Sequence, residues 1–262
     1  MWNIMKAQNY QTRRDNLTIY ILIIGMIGPI LLASMNSGTG IESLTGSMTV
    51  AGLGEMLFMV IGVVTLLLTA RICGWDQADK TMNYEVLSGH DRSEVYFGRV
   101  FVSLLWGMTI SMVIAVFPVL VCSLISGWGI NMKLSDIVLR YVLLLFPVFR
   151  LICEFALLTF LLKNCYKAIL IGWVFYDMAV IGSMIYEEVT DKAMTVQFAG
   201  LNISYLMAGF NAKFEYINGE DVPVYVTAVE PAMAVETIFT SLLVGGLCLL
   251  IGYLVFRKQD IY

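Results

Sequence analysis

The sequence predicts an all-α membrane protein of six transmembrane helices with both termini cytoplasmic. Three observations carry this: an excess of apolar residues, six long apolar runs, and basic residues collected on alternate connections. Of 262 residues, 59% are hydrophobic and only 14% are charged, with a mean hydropathy of +0.80. A soluble domain is roughly 45–50% apolar and about 25% charged. In lipid every backbone amide must find its partner within the protein, so spanning segments are helices or closed barrels, and long unbroken apolar runs decide for helices.

The elements follow in chain order. The stretch Trp2–Asp15 sets Trp2, Ile4, Met5 and Asn9 against basic Lys6, Arg13 and Arg14 at roughly helical spacing, which predicts an N-terminal interfacial helix. A span needs about 20 mainly apolar residues to cross about 30 Å of hydrocarbon. Six runs qualify: Leu17–Met35, Val50–Ile72, Val100–Ser126, Ile137–Leu162, Ala168–Tyr186 and Met233–Phe256. The first is long for a signal sequence and is followed by Ala33-Ser34-Met35-Asn36 with no small-residue cleavage site, so it is expected to be retained. Pro118 and Pro147 fall inside spans three and four, where proline bends helices. Between spans five and six, Val196–Phe210 is apolar but too short to span. It reads as a re-entrant or interfacial segment within an extracytoplasmic loop over 187–232. No internal repeat or linker divides the chain, so residues 1–262 form one transmembrane domain.

Orientation comes from Lys and Arg flanking the spans. Lys6, Arg13, Arg14, Arg71, Lys80, Arg92, Arg99, Lys163, Lys167, Arg257 and Lys258 fall on one side; Lys133, Arg140, Lys192 and Lys213 fall on the other. Eleven against four makes the first side cytoplasmic. The connection from Glu187 to Glu236 carries eight acidic residues, so the net charge of −4 is segregated along the chain. No basic stripe suggests nucleic acid. The five cysteines, Cys73, Cys122, Cys153, Cys165 and Cys248, lie in or beside apolar runs without C-x-x-C spacing and read as small buried hydrophobes.

The most informative polar stretch is Arg71–Arg99, on the cytoplasmic side between spans two and three. Gly74-x4-Asp79-Lys80-Thr81 imitates a phosphate-binding loop but puts a carboxylate where the second glycine must be, and it follows a span instead of a strand. Binding of ATP by this chain is therefore not expected. A short helix here, with Tyr84, Val86 and Leu87 as anchors and Asp79, Lys80, Glu85 and Arg92 as a polar rim, suits a protein interface. The pattern alone suits a solvated, topology-fixing loop equally well.

The steps Asp79-Lys80-Thr81, Leu87-Ser88-Gly89-His90-Asp91-Arg92, Tyr96-Phe97 and Arg99, with the ending Phe256-Arg257-Lys258-Gln259-Asp260-Ile261, resemble the membrane (permease) subunits of ABC exporters of the ABC-2 type. Lys80 stands where many members have Gly, and His90 where many have Pro. The resemblance implies that 73–98 is a cytoplasmic coupling region docking on a separate ATPase, through Asp76, Asp79, Lys80, Thr81, Tyr84, Glu85, Leu87 and Arg92. It further implies two copies of that ATPase, a second permease subunit of the same or a different sequence, and residence in the plasma membrane of a bacterium. ATP and Mg would be bound by the partner and no cofactor by this chain, which would be a transport subunit and not an enzyme. The implied cargo is amphiphilic: an antimicrobial or other peptide, a drug-like compound or a lipid. The 16 methionines and 12% aromatic residues offer adaptable apolar surfaces for such cargo.

Charges inside spans are costly and mark either a pathway or a staple. Arg150 and Glu154 lie at i,i+4 in span four and Asp177 lies in span five. Used as a relay, the three would instead suit an ion-coupled secondary transporter or channel. Enzyme signatures fail: Tyr176-Asp177 resembles half of an intramembrane aspartyl protease whose second half is missing, and His90 is the only histidine. No catalytic and no metal-binding residues are expected.

Overall fold

A computed structural model of the chain describes residues 1–37, 45–78, 82–190, 195–217 and 220–258. It is predominantly helical: α1 (Trp2–Arg14), α2 (Asn16–Ser37), α3 (Gly46–Ala78), α4 (Met82–Leu87), α5 (Arg92–Ser126), α6 (Leu134–Leu162), α7 (Cys165–Thr190), α8 (Ala199–Ala208) and α9 (Pro231–Lys258), with strands β1 (Asn211–Ile217) and β2 (Glu220–Val226) between α8 and α9. Among the described residues five helices, α3, α5, α6, α7 and α9, are long and apolar enough to cross a membrane. A sixth candidate is the pair α1 and α2, which meet at a 60° bend.

Each apolar run lies inside a longer helix. Helix α3 continues through Ala78 and α5 begins at Arg92, so much of the 73–98 segment is helical extension, and between them the described residues hold α4 and the turn over 88–91. Apolarity ends where water begins, but the backbone ladder of an established helix continues through polar residues because each further residue adds a hydrogen bond to an existing turn. Helices α5 and α6 remain continuous through Pro118 and Pro147. The tight link from α6 to α7 uses Lys163 in the left-handed region (φ 53°). There the Asn164 carboxamide oxygen accepts from the Tyr166 and Lys167 amides, capping α7.

One end of the bundle gathers the chain start, the α3 to α5 connection, the α6 to α7 link and the end of α9. Arg71 reaches Asp15, Trp75 meets Tyr166, and Arg92 reaches the Arg257 carbonyl. The opposite end gathers the α5 to α6 connection, the close of α8 and the hairpin: the Gly46 amide donates to Gly127 O, and Asn131 pairs with β2. The core between them is built by α3, α5, α6 and α8, around Leu57, Ile61, Ile114, Leu144, Ile152 and Ile203. Four of the five cysteines are buried and all are free thiols. Gly245 of α9 lies against Phe149 of α6, where a Cβ would come within 2.7 Å of the ring, so this small residue serves packing within the chain.

The hairpin departs from an all-helical chain. Strands β1 and β2 pair antiparallel from Asn211↔Val226 to Ile217↔Glu220. The Tyr225 amide donates to Asn131 O at 2.9 Å, and Asn131 Nδ2 donates to Pro223 O at 2.8 Å, tying the hairpin to the α5 to α6 connection. Pro223 is tolerated because a two-stranded sheet consists only of edges. The signal for it was present: Phe214 and Tyr216 alternate with polar residues before Asn218-Gly219, the commonest two-residue hairpin sequence.

Candidate functional site

Two constellations stand out, one at the basic end and one within the bundle. At the basic end Arg99 of α5 is 1% exposed and ties three elements together. Its Nη1 lies 2.7 Å from Asp76 Oδ2 of α3 and its Nη2 lies 2.8 Å from Glu85 Oε1 of α4. Nη1 also donates to Ile72 O at 3.3 Å, and Gln8 Nε2 of α1 donates to the same Asp76 oxygen at 3.4 Å. A buried guanidinium persists only when paired and hydrogen-bonded, and two carboxylates meet that condition. Helix α4, six residues long, is too short to hold its own shape, so this tripod and the packing of Met82 and Val86 on the Tyr96, Phe160 and Phe256 cluster keep it in place.

Leu87 points away from that cluster and is 74% exposed. Arg92 donates to the Arg257 carbonyl at 2.7 Å and so closes the end of α9. Asp79, Lys80 and Thr81 lie outside the described residues; Tyr84 is within α4, with its side chain likewise outside them. Of the expected docking residues, Asp76 and Glu85 thus meet on Arg99, Leu87 is presented outward, and Arg92 braces a neighbouring helix. Nearby, Arg71 grips Asp15 with Nε at 3.1 Å and Nη2 at 3.3 Å, and its guanidinium lies 3.6 Å above the Trp75 ring. Asp15 sits at the bend between α1 and α2, so this two-pronged pair fixes the bend to α3.

Within the bundle, Arg150 and Glu154 do pair, Nε to Oε1 at 2.7 Å. The rest of the guanidinium turns to backbone ahead of α8: Nη1 donates to Val196 O at 3.1 Å and Nη2 to Gln197 O at 2.5 Å. A second arginine, Arg140, treats the other end of α8 the same way. It is 1% exposed, with Nε donating to Thr227 O at 2.7 Å, Nη1 to Tyr205 O at 3.0 Å and Leu206 O at 3.4 Å, and Nη2 to Gly209 O at 3.4 Å. Its charge also lies 4.7 Å from the Phe210 ring. The last carbonyls of a helix have no partners in the helix itself and carry its negative dipole end, so a guanidinium is well placed there.

Arg140 and Arg150 are separated along α6 by about 15 Å at the standard rise, and ten-residue α8 is about 15 Å long. The two therefore clamp α8 at both ends and fix it antiparallel to α6. Counting Arg140 among the charges of an extracytoplasmic connection is accordingly corrected: its side chain is buried as a helix clamp, because α8 offers it carbonyls that water would otherwise have to satisfy. Helix α8 packs one face into the bundle. Asn202 and Ile203 are buried, and Asn202 exchanges hydrogen bonds with Thr237 of α9 at 3.2 and 3.3 Å.

Beside α8 lies a cavity of about 350 Å³ between α6, α7 and α8, walled by residues such as Leu158, Leu161, Phe175 and Phe198, with Arg150 and Glu154 at its polar margin. Tyr176 forms part of the wall. Its ring is wedged between Gly62 of α3 and Gly200 of α8, where a Cβ on either glycine would fall 2.6 Å from a ring carbon, and its hydroxyl donates to Phe58 O at 3.3 Å. Asp177 stands apart: it is half-buried, does not line this cavity, and makes no ion pair or hydrogen bond among the described residues. Nor do His, Cys, Asp and Glu side chains gather in a metal-holding group among the described residues. Arg99, Arg140, Gln8 and the two glycines around Tyr176 are the positions that sequence reasoning did not single out as site residues. Compared with protein-family models the chain matches none, and it has no significant match among curated proteins.

Proposed function

We propose that this chain is the membrane subunit of an ATP-driven exporter of the ABC-2 type, moving an amphiphilic substrate across the plasma membrane of a bacterium. Six spans with both termini cytoplasmic would put the basic end of the bundle in the cytoplasm, as the distribution of Lys and Arg requires. The observation that carries the reading is α4: a short helix presenting Leu87 outward, linked through one buried arginine to the two long helices α3 and α5. Such an element can pass a push from a docked protein into the bundle, because the ion pairs leave it little freedom to yield. ATP chemistry, with Mg, belongs to the docked ATPase, in two copies. Two permease subunits complete the assembly, and closure of the ATPase pair biases the bundle between two states.

The test co-expresses the chain with a candidate ABC ATPase and purifies the pair through a tag on the permease. Leu87→Asp and Tyr84→Asp together are expected to abolish co-purification and ATP-driven transport while the permease keeps its melting temperature, since Leu87 contributes little to the chain's own packing. Undiminished co-purification of the double variant refutes the docking assignment.

A further inference from the structure

The cavity beside α8 differs from a lipid-filled crevice in the charge it leaves unspent. Arg150 commits each of its three nitrogens to a protein acceptor, and Glu154 commits only Oε1. Among the described residues Glu154 Oε2 has no partner, in a cavity whose other walls are almost wholly apolar. On the far side of Val180 and Leu201, which line both spaces, a second cavity of about 630 Å³ opens between α3, α7 and α8. Met56, Met59 and Phe58 form its apolar wall, and its charged groups are Glu55 and Glu187, neither ion-paired among the described residues. No basic side chain among the described residues lines this second cavity. Two adjoining spaces of drug-like size thus combine apolar walls, methionine-bearing in the second, with carboxylates alone as the uncommitted charge.

We infer that this lane along α8, from Glu154 past Val180 to Glu55 and Glu187, is a binding site for lipophilic cations. The apolar walls accept a hydrocarbon or aromatic body, methionine side chains adapt to its shape, and the carboxylates reject an anion of the same size. The transport role of the lane rests on the exporter reading above, whereas binding does not.

The experiment places the full chain in phosphatidylcholine nanodiscs, without ATPase, and measures equilibrium binding of tetraphenylphosphonium against tetraphenylborate, an anion of closely matched shape. Saturable binding of the cation only is expected. Glu154→Gln should weaken it about tenfold, which is the loss of one modest charge contact. Because Glu154→Gln also disturbs Arg150, a second variant, Ala179→Phe, fills the first cavity and leaves the ion pair intact; it should weaken the cation to a similar degree. Equal binding of both ions, no saturable binding, or full cation affinity in both variants overturns the inference. Adding the ATPase and ATP separates the two claims. Cation binding without ATP-driven movement of any amphiphile sinks the exporter reading and leaves the site, whereas ATP-driven export with no cation binding sinks the site and leaves the reading.

Discussion

Replacing Arg140 with Met keeps the apolar stem of the side chain and removes the clamp at the close of α8. Four carbonyls lose a donor; two of them, Thr227 O at 2.7 Å and Tyr205 O at 3.0 Å, hold full-strength bonds, and the two at 3.4 Å add little. Hydrogen bonds to a charged group contribute about 1.5–3 kcal/mol each in soluble proteins. Polar contacts between membrane helices average only about 0.6 kcal/mol and reach about 1.7. Two strong charged bonds between these limits put the local cost at roughly 2–4 kcal/mol. Amide hydrogen exchange of the protein in nanodiscs reads this directly, because opening α8 exposes its own backbone. The Met variant should lose roughly 30- to 1,000-fold protection in α8 and in β2 near Thr227, while α3 and α5 keep theirs. Arg140→Lys should fall between, since an ammonium cannot span carbonyls on both sides as the planar fork does. Wild-type protection of α8 in the Met variant would refute the clamp.

Gly62→Ala drives a methyl group to within 2.6 Å of the Tyr176 ring and should destabilise the protein by about 1–3 kcal/mol, read as a lower melting temperature. Adding Tyr176→Ala should then cost less than it does in the wild type, and strict additivity in that double-mutant cycle would show that the ring does not occupy the notch. Arg99→Met removes the buried guanidinium that Asp76 and Glu85 share and should cost about 3–5 kcal/mol. The same variant should release α4, so that exchange over Met82–Leu87 rises more than exchange in α6; protection of α4 equal to wild type would mean that Arg99 does not hold it.

The long helices were readable because lipid demands length and apolarity in one uninterrupted run, and α3, α5, α6, α7 and α9 each supply it within a few residues of the apolar run. The Arg150–Glu154 pair was readable for a similar reason: a spacing of four on one helix fixes both partners without knowledge of any other element. Arg99 and Arg140 were not, because their partners lie on other elements. A count of basic residues by side sees each as a topology marker, and nothing local distinguishes a solvated arginine from a buried one. The role of Arg140 depends on a coincidence of lengths, a spacing of ten positions between two arginines of α6 matching the ten residues of α8, and that match has meaning only once α8 is known to lie against α6.

The placement of α8 also explains why a segment so apolar is so short. Its flanking backbone must end inside protein, and lipid offers nothing to the carbonyls at Val196, Gln197, Tyr205 and Gly209. Two guanidiniums meet that demand at fixed positions on one rigid helix. Arg150 thereby links the start of α8 to Glu154, and Glu154 is the charge left facing the cavity. A ligand that draws on Glu154 must compete with Arg150 for the same carboxylate, and a weaker Arg150–Glu154 pair loosens the clamp on α8. Cation binding and α8 exchange are therefore coupled in this structure: saturating tetraphenylphosphonium should speed exchange at the first turn of α8 and leave its last turn, held by Arg140, unchanged. Equal protection of both turns with and without the cation would separate the site from the clamp.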